Sequence, residues 1–162
     1  MKKLTTCLWF DGQAEEAMNF YTSVFKNAKK GEITRWGDTG PGEPGSVLTA
    51  TFEILGQEFM ALNGGPEFKF NEAVSFVVDC ETQEEIDRMW DTLIAGGGEP
   101  SQCGWLKDKF GLSWQITPPI LGEMLGDKNR KRADRVMQAM MLMTKIDIAT
   151  LKRAYEEPVA AR

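Results

Sequence analysis

The chain contains no histidine, and this limits its chemistry more than any residue that is present. Imidazole is the usual general base at neutral pH, it activates serine and cysteine nucleophiles, and it is the commonest metal ligand. Cys7, Cys80 and Cys103 therefore have no imidazole to activate them, and no two of them form a Cys-x-x-Cys pair. Lys107 or Lys109 would lower the pKa of Cys103 only modestly, so we do not expect thiol catalysis.

Composition excludes two classes of partner. The formal net charge is −5 and the isoelectric point is near 4.9, whereas binding to nucleic acid or to an anionic membrane needs a basic face. The basic run at residues 128–135 is interrupted by acidic residues, which favours a solvated helix face over an anion or partner site. We see no signal peptide, and no apolar run reaches the roughly 18 residues of a membrane span. The sequence predicts a soluble, cytoplasmic protein with reduced thiols.

A strand–helix–strands pattern occurs twice. The alternation and the β-branched content predict strands at residues 4–10, 33–36, 47–55, 57–63, 73–80, 99–107 and 112–117. A first helix is indicated by apolar residues at three-and-four spacing from Ala14 to Phe25. A second begins at a capping box, Thr82 to Glu85, and buries one apolar face. The two predicted helices lie 69 residues apart in the sequence: Glu15-Glu16 in the first corresponds to Glu84-Glu85 in the second. This repeat indicates a duplicated module.

The last part of the chain is predicted to be helical. Apolar residues at 136–143, rich in methionine, indicate an amphipathic helix that packs within the chain or against a second subunit. Asp147 is predicted to cap a final short helix. We therefore expect a domain at residues 1–120, with modules at about 1–66 and 67–120, and a helical extension at 121–162.

Several motifs, in order along the chain, resemble a known family. They are LWFDGQAEEA at residues 8–17, FY at 20–21, ALNGGP at 61–66, CGWLKD at 103–108, GLSWQ at 111–115 and KIDI at 145–148. This pattern resembles PhnB-like proteins of the glyoxalase/bleomycin-resistance/dioxygenase (vicinal oxygen chelate) superfamily. The resemblance implies an α+β fold of two βαβββ modules whose mixed sheets curl around a cavity, followed by C-terminal helices, usually in a homodimer.

Metal-using relatives place ligands on the first and last strand of each module. Projected here, those positions fall at Thr6, at Ala61, at Ala73 or Ser75, and at Gln115. Alanine, hydroxyl and amide side chains cannot hold a divalent transition metal. We therefore expect no metal and no other cofactor.

Side-chain alternation along the strands predicts which residues line the cavity. The inner face is predicted to carry Thr6, Asn63, Ser75, Ser113 and Gln115, with Trp105 near the mouth. The helix-covered face is predicted to carry Cys7, Trp9, Met60, Leu62, Val74, Phe76, Trp114 and Ile116. Two of these residues have two interpretations: Gln115 would orient a ligand or bond a neighbouring strand, and Trp105 would stack on a ligand or pack in the core.

The sequence supports several functions. PhnB-like proteins are often labelled 3-demethylubiquinone-9 3-methyltransferases, but Gly96-Gly97-Gly98 follows a helix and Gly64-Gly65-Pro66 leads into none, so neither forms a strand–glycine–helix nucleotide loop. We favour metal-free binding or sequestration of a small molecule by a homodimer. A metal-independent enzyme and a protein-interaction role with a vestigial pocket are the alternatives, and the sequence decides neither whether a reaction is catalysed nor which ligand is bound.

Overall fold

A computed structural model describes residues 4–156, which form two compact units that divide between Phe70 and Asn71. Each unit contains a four-stranded mixed sheet with one helix inserted after its first strand. The α+β class and the repeated module are therefore confirmed. No helix in residues 4–156 is long and apolar enough to cross a membrane.

The first unit follows the βαβββ order. Its elements are β1 (Thr6–Phe10), α1 (Ala14–Val24), β2 (Lys29–Arg35), β3 (Val47–Ile54) and β4 (Gln57–Asn63). The strand order is β1-β4-β3-β2, in which β1 runs parallel to β4 and the other pairs are antiparallel. Tyr21 of α1 stacks on Phe52 with ring centroids 5.6 Å apart, and Phe52 stacks on Phe59 at 5.3 Å. These rings join the buried face of the helix to the sheet.

The predicted hairpin between β3 and β4 is present. Leu55 and Gly56 adopt φ angles of 51° and 78°, so both turn residues lie in the left-handed region. Such a two-residue turn matches the twist of the flanking strands, which explains the glycine. The other predicted short strand, at residues 33–36, is part of β2, which begins earlier, at Lys29.

The second unit repeats the order and adds three helices. Its elements are β5 (Ser75–Asp79), α2 (Gln83–Ile94), β6 (Glu99–Pro100), β7 (Trp105–Lys107), β8 (Ser113–Thr117), α3 (Pro119–Leu125), α4 (Arg130–Met141) and α5 (Ile148–Glu156). The strand order β5-β8-β7-β6 matches that of the first unit. The strand predicted at residues 99–107 is interrupted, because Cys103 and Gly104 take left-handed φ angles of 58° and 84°.

The capping box at the start of α2 is present with one change. Thr82 Oγ1 accepts a hydrogen bond from the Glu85 amide at 3.2 Å, as predicted. In a standard capping box, the Glu85 side chain would accept a hydrogen bond from the amide of the N-cap residue, Thr82. Here Glu85 Oε2 accepts instead from the amide of the preceding residue, Glu81, at 2.9 Å. The helix buries Ile86, Met89, Trp90 and Leu93.

The helices after β8 belong to the second compact unit. The Gln83 side chain joins the segment before α5 to α2: its Nε2 donates to the Ile146 carbonyl and its Oε1 accepts from the Ile148 amide, both at 3.0 Å. Asp147 caps α5 as predicted, accepting a bond from the Thr150 amide at 2.6 Å. The helix predicted at residues 136–143 begins earlier and is α4.

Buried strand positions and buried helix positions repeat at different spacings in the two units. Tyr21 of α1 and Trp90 of α2 are equivalent buried residues 69 positions apart. Phe10 of β1 and Val78 of β5 are equivalent buried strand positions, but they are 68 apart. β1 and β5, like α1 and α2, begin 69 positions apart, so the one-residue difference lies in which strand positions are buried. A shift of one residue exchanges the two faces of a strand.

Candidate functional site

In the first unit, the predicted faces are wrong. Leu8 and Phe10 are buried, and they pair with Ala61 and Asn63 of β4. By alternation, Thr6 and Asn63 belong to this same helix-covered face and not to an inner, ligand-facing one.

Asn63 has a structural role. Its Oδ1 accepts a hydrogen bond from the Ala14 amide at 2.9 Å, at the first residue of α1. Its Nδ2 donates to the Val47 carbonyl at 3.0 Å. The residue before the helix, Gln13, makes no side-chain cap, so Asn63 supplies that bond from a neighbouring strand. Both ends of the amide are thereby used within the protein.

The open face of the first sheet, which α1 does not cover, carries the residues that were predicted to lie beneath the helix. They are Cys7, Trp9, Met60 and Leu62. Trp9 Nε1 donates to the Gly65 carbonyl at 2.8 Å, and its ring meets the edge of Phe68 at 4.9 Å. The β1 and β4 residues of this face are mainly apolar, whereas its β2 and β3 part carries Thr34, Thr49, Thr51 and Glu53.

In the second unit, the structure places the polar strand residues as alternation predicts. Trp114 and Ile116 are buried on the face that packs against α2. Ser75, Ser113 and Gln115 alternate with these buried residues along the strands, so their side chains lie on the opposite, open face of the sheet. On that face, Trp105 of β7 pairs with Gln115 of β8.

Gln115 fits both interpretations that the sequence allows. Its Nε2 donates to Ser75 Oγ at 2.9 Å, so the amide joins two parallel strands. Its Oε1 accepts no hydrogen bond from any residue in the described range 4–156. The amide is thus oriented by the protein, and its carbonyl oxygen stays available.

A cavity of about 380 Å³ adjoins these residues at the carboxyl ends of β5 and β8. Its polar lining comes from Asp79, Trp105, Gln115 and Thr117. The rest of the lining is largely apolar and comprises Cys103, Pro118, Pro119, Leu121, Gly122, Leu125 and Met140. An apolar wall with a few polar groups at one side is the usual composition of a small-molecule site.

A smaller cavity, of about 170 Å³, shares Trp105 with the first. Ser113 lines it and is 1% exposed, and its Oγ is the single buried side-chain oxygen or nitrogen in residues 4–156 without a hydrogen-bond partner. Lys107 and Glu72 form an ion pair at its edge, with Nζ and Oε1 2.5 Å apart. The Glu72 carboxylate raises the pKa of Lys107, so this ammonium is charged and engaged. Glu99 lies opposite Lys107 in the β6–β7 pairing.

Sequence reasoning assigned no role to the carboxylates of these cavities or to Asp108. Asp79 ends β5 beside Thr117 at the end of β8, which their parallel strands bring together. Asp108 is 2% exposed and accepts hydrogen bonds from the Trp114 indole at 2.8 Å and the Leu112 amide at 3.1 Å. It holds the β7–β8 turn. The Asp-x-x-Gly spacing of Asp108 and Gly111, which is typical of turns, is the sequence feature that could have indicated this role of Asp108.

The positions projected from metal-using relatives do not form a metal site here. Ala61 lies on the helix-covered face, and Gln115 offers a neutral amide on the open face. Within residues 4–156, no three histidine, cysteine, aspartate or glutamate side chains are grouped closely enough to bind an ion. The groups that converge are hydroxyl, amide and indole, which divalent transition metals do not prefer.

Comparisons with known proteins agree on the family. A family model described as 3-demethylubiquinone-9 3-methyltransferase matches residues 2–117. The structure of the PhnB protein from Bacillus cereus, which carries the same description, is 43% identical, covers 72% of this chain and 99% of that one, and superposes with a TM-score of 0.65. A search of curated proteins finds no match.

Two more distant structures share the fold alone. Protein PA1353 from Pseudomonas aeruginosa is 18% identical over 73% of this chain and 98% of its own, with a TM-score of 0.60. A mutant of the fosfomycin resistance protein FosX from Listeria monocytogenes, complexed with Mn(II) and a dihydroxypropylphosphonic acid, is 15% identical over 73% of this chain and 93% of its own, with a TM-score of 0.51. The chain belongs to the PhnB-like, 3-demethylubiquinone-9 3-methyltransferase family.

Proposed function

We propose that the protein binds a small organic molecule on the open face of its second sheet and does so without a metal ion. The observation that carries this proposal is the oriented Gln115 amide beside the cavity of about 380 Å³. Ser75 fixes the amide, and its unused Oε1 would accept a hydrogen bond from the ligand. Trp105 and the apolar residues of α3 would pack on the flat part of the ligand.

The metal-free part of the proposal is supported by the chemistry of the side chains. FosX is complexed with Mn(II), but its identity to this chain is 15%, and the likeness supports only a shared fold. The open face of the second sheet presents Ser75, Ser113, Gln115 and Trp105, and these side chains bind an organic ligand through hydrogen bonds and stacking.

Methyl transfer, which the family's description names, has no support at this site. A nucleotide-type cofactor is usually held where a glycine-rich turn joins a strand to a helix N-terminus. The corresponding turn between β1 and α1 has one glycine, Gly12, and the first amide of α1 is already bonded to Asn63. The triple glycine 96–98 follows α2 and precedes β6, the reverse order.

The proposal is tested with indole-3-ethanol, a flat neutral probe that carries one hydroxyl group, by ligand-observed saturation-transfer NMR. We expect binding that is unchanged by EDTA. Trp105→Leu should abolish it, and Gln115→Met should weaken it about 5-fold, as for one lost hydrogen bond. Gln138→Met, the same change at an exposed position on α4, is the control and should have no effect.

Two results would overturn the proposal. Binding that survives both Trp105→Leu and Gln115→Met would place the ligand elsewhere. Binding that EDTA removes and a divalent metal restores would contradict the metal-free part. Thermal melts of each variant must first show that it is folded.

A further inference from the structure

The charges around the two cavities of the second unit do not cancel. The lining contains three carboxylates, Asp79, Glu72 and Glu99, and one ammonium, Lys107. Glu72 already neutralises Lys107 at 2.5 Å. Glu99 and Asp79 take part in no ion pair within residues 4–156. A site with this excess of negative charge attracts a cation and repels an anion.

Ser113 provides a second, independent sign that a ligand group enters the smaller cavity. Its side chain is 99% buried, since 1% is exposed, and its Oγ has no partner. Buried hydroxyl groups almost always have one, so an unpartnered one indicates a position that a ligand or water fills. The hydroxyl oxygen can accept a hydrogen bond from an N–H donor. It lies opposite Lys107 in the β7–β8 pairing, near the Glu72 and Glu99 carboxylates.

Trp105 connects the two cavities, because it lines both. An indole face packs on a flat ring and also attracts a cation. A molecule with a ring in the larger cavity could therefore extend past Trp105 into the smaller one. The smaller cavity, at about 170 Å³, has room for an ammonium group and the methylene chain that carries it.

This inference rests on the binding function proposed above: we propose that the ligand is an arylalkylamine, an aromatic ring that carries an ammonium group on a short alkyl chain. Its ring occupies the larger cavity against Trp105. Its ammonium group enters the smaller cavity, where Ser113 Oγ accepts a hydrogen bond from it and the Glu99 carboxylate balances its charge.

The test uses three probes that share one ring and differ in charge: tryptamine, indole-3-ethanol and indole-3-propionate. Dissociation constants are measured by ligand-observed NMR at low ionic strength and pH 7. We expect tryptamine to bind about 10-fold more tightly than indole-3-ethanol, as for one charge-assisted hydrogen bond, and indole-3-propionate to bind most weakly. Added salt should reduce the preference for tryptamine.

Variants identify the groups responsible. Glu99→Gln should bring tryptamine close to indole-3-ethanol while leaving indole-3-ethanol unchanged, and Ser113→Ala should weaken tryptamine more than it weakens indole-3-ethanol. Glu99 is exposed, so its variant will fold even if Ser113→Ala does not. Glu84→Gln removes the same charge from the exposed first turn of α2 and should leave the preference intact.

The outcomes separate this inference from the proposed function. If indole-3-ethanol binds and depends on Trp105 and Gln115, but tryptamine binds no more tightly, the inference is overturned and the proposed function stands. The same holds if indole-3-propionate binds most tightly. If none of the three probes binds, both are overturned.

Discussion

Two amide side chains, Asn63 and Gln115, end in different environments although both were predicted to face a ligand. Asn63 uses its oxygen for the Ala14 amide and its nitrogen for the Val47 carbonyl. Gln115 uses only its nitrogen, for Ser75. The difference arises because side chains alternate between the two faces of a strand: Asn63 lies on the helix-covered face of its sheet and Gln115 on the open face of its own. A polar residue type thus indicates a site only when its face is known.

Cysteine reactivity provides a prediction at the level of single residues. Cys80 is 2% exposed, and burial together with the Glu85 charge raises its pKa to about 11. Its thiol therefore stays protonated near pH 8, and the thiolate is the reactive form. Cys7 is exposed. We expect iodoacetamide at pH 8 to modify Cys7 in the native protein and to leave Cys80 unmodified, as measured by peptide mass spectrometry.

The control for this experiment is the unfolded chain. In concentrated urea, both thiols should react at similar rates. Equal modification of Cys80 and Cys7 in the folded protein would contradict the burial of Cys80.

At the level of elements, local signals predicted most of the structure. The Thr82 capping box, the Leu55-Gly56 turn and the helical spacing of α1 and α2 each depend on residues close in sequence. The strand faces of the first unit depend instead on the one-residue difference between the modules, which no local pattern shows. The interruption between β6 and β7 was also missed, because Cys103 takes a positive φ that residues other than glycine rarely adopt.

The cap of α1 gives a prediction at this level. Asn63→Ala removes the acceptor for the Ala14 amide and the donor to the Val47 carbonyl. We expect it to lower the free energy of unfolding by about 1–3 kcal/mol, measured by urea denaturation. Binding of indole-3-ethanol to the folded variant should not change, because Asn63 lies in the other unit.

Asn129 provides a matched control. It occupies the N-cap position of α4, but its side chain makes no capping bond. Asn129→Ala should therefore change the free energy of unfolding by less than about 0.5 kcal/mol. Equal losses in the two variants would show that Asn63 contributes no more than an ordinary surface asparagine.

For the whole molecule, the sequence motifs predicted the family and the repeated architecture because they extend in order along most of the chain. They did not predict the lining of the site, since strand pairing and the loops beside it bring Glu72 and Glu99 to the smaller cavity and Asp79 to the larger one. The helices after β8 extend beyond the family match, which ends at residue 117. One of them, α3, lines the larger cavity.

We propose that the protein is a homodimer that pairs through α4. Met137, Met141 and Leu142 are 42%, 55% and 90% exposed, although their side chains are large and apolar. Light scattering at micromolar concentration should give twice the chain mass of 18.2 kDa. The double variant Met137→Glu, Leu142→Glu should be a monomer, because dimerisation would bury both new carboxylates in an apolar contact.

Val74→Glu is the control for the dimer. Val74 was predicted to lie on the helix-covered face, but it precedes β5 and is 64% exposed, so the same kind of change there should leave the mass unchanged. A mass of one chain for the unaltered protein would contradict the proposal.

The two caps also set an order for folding during synthesis. The cap of α2 comes from Thr82, three residues before the amide it binds, so the first turn of that helix can close as soon as it leaves the ribosome. The cap of α1 comes from a residue 49 positions later in the chain. Closing so long a loop costs entropy, which the contacts of the finished sheet must offset. The first helix of the chain therefore acquires its stable end only after β4 has been translated and has paired with β1.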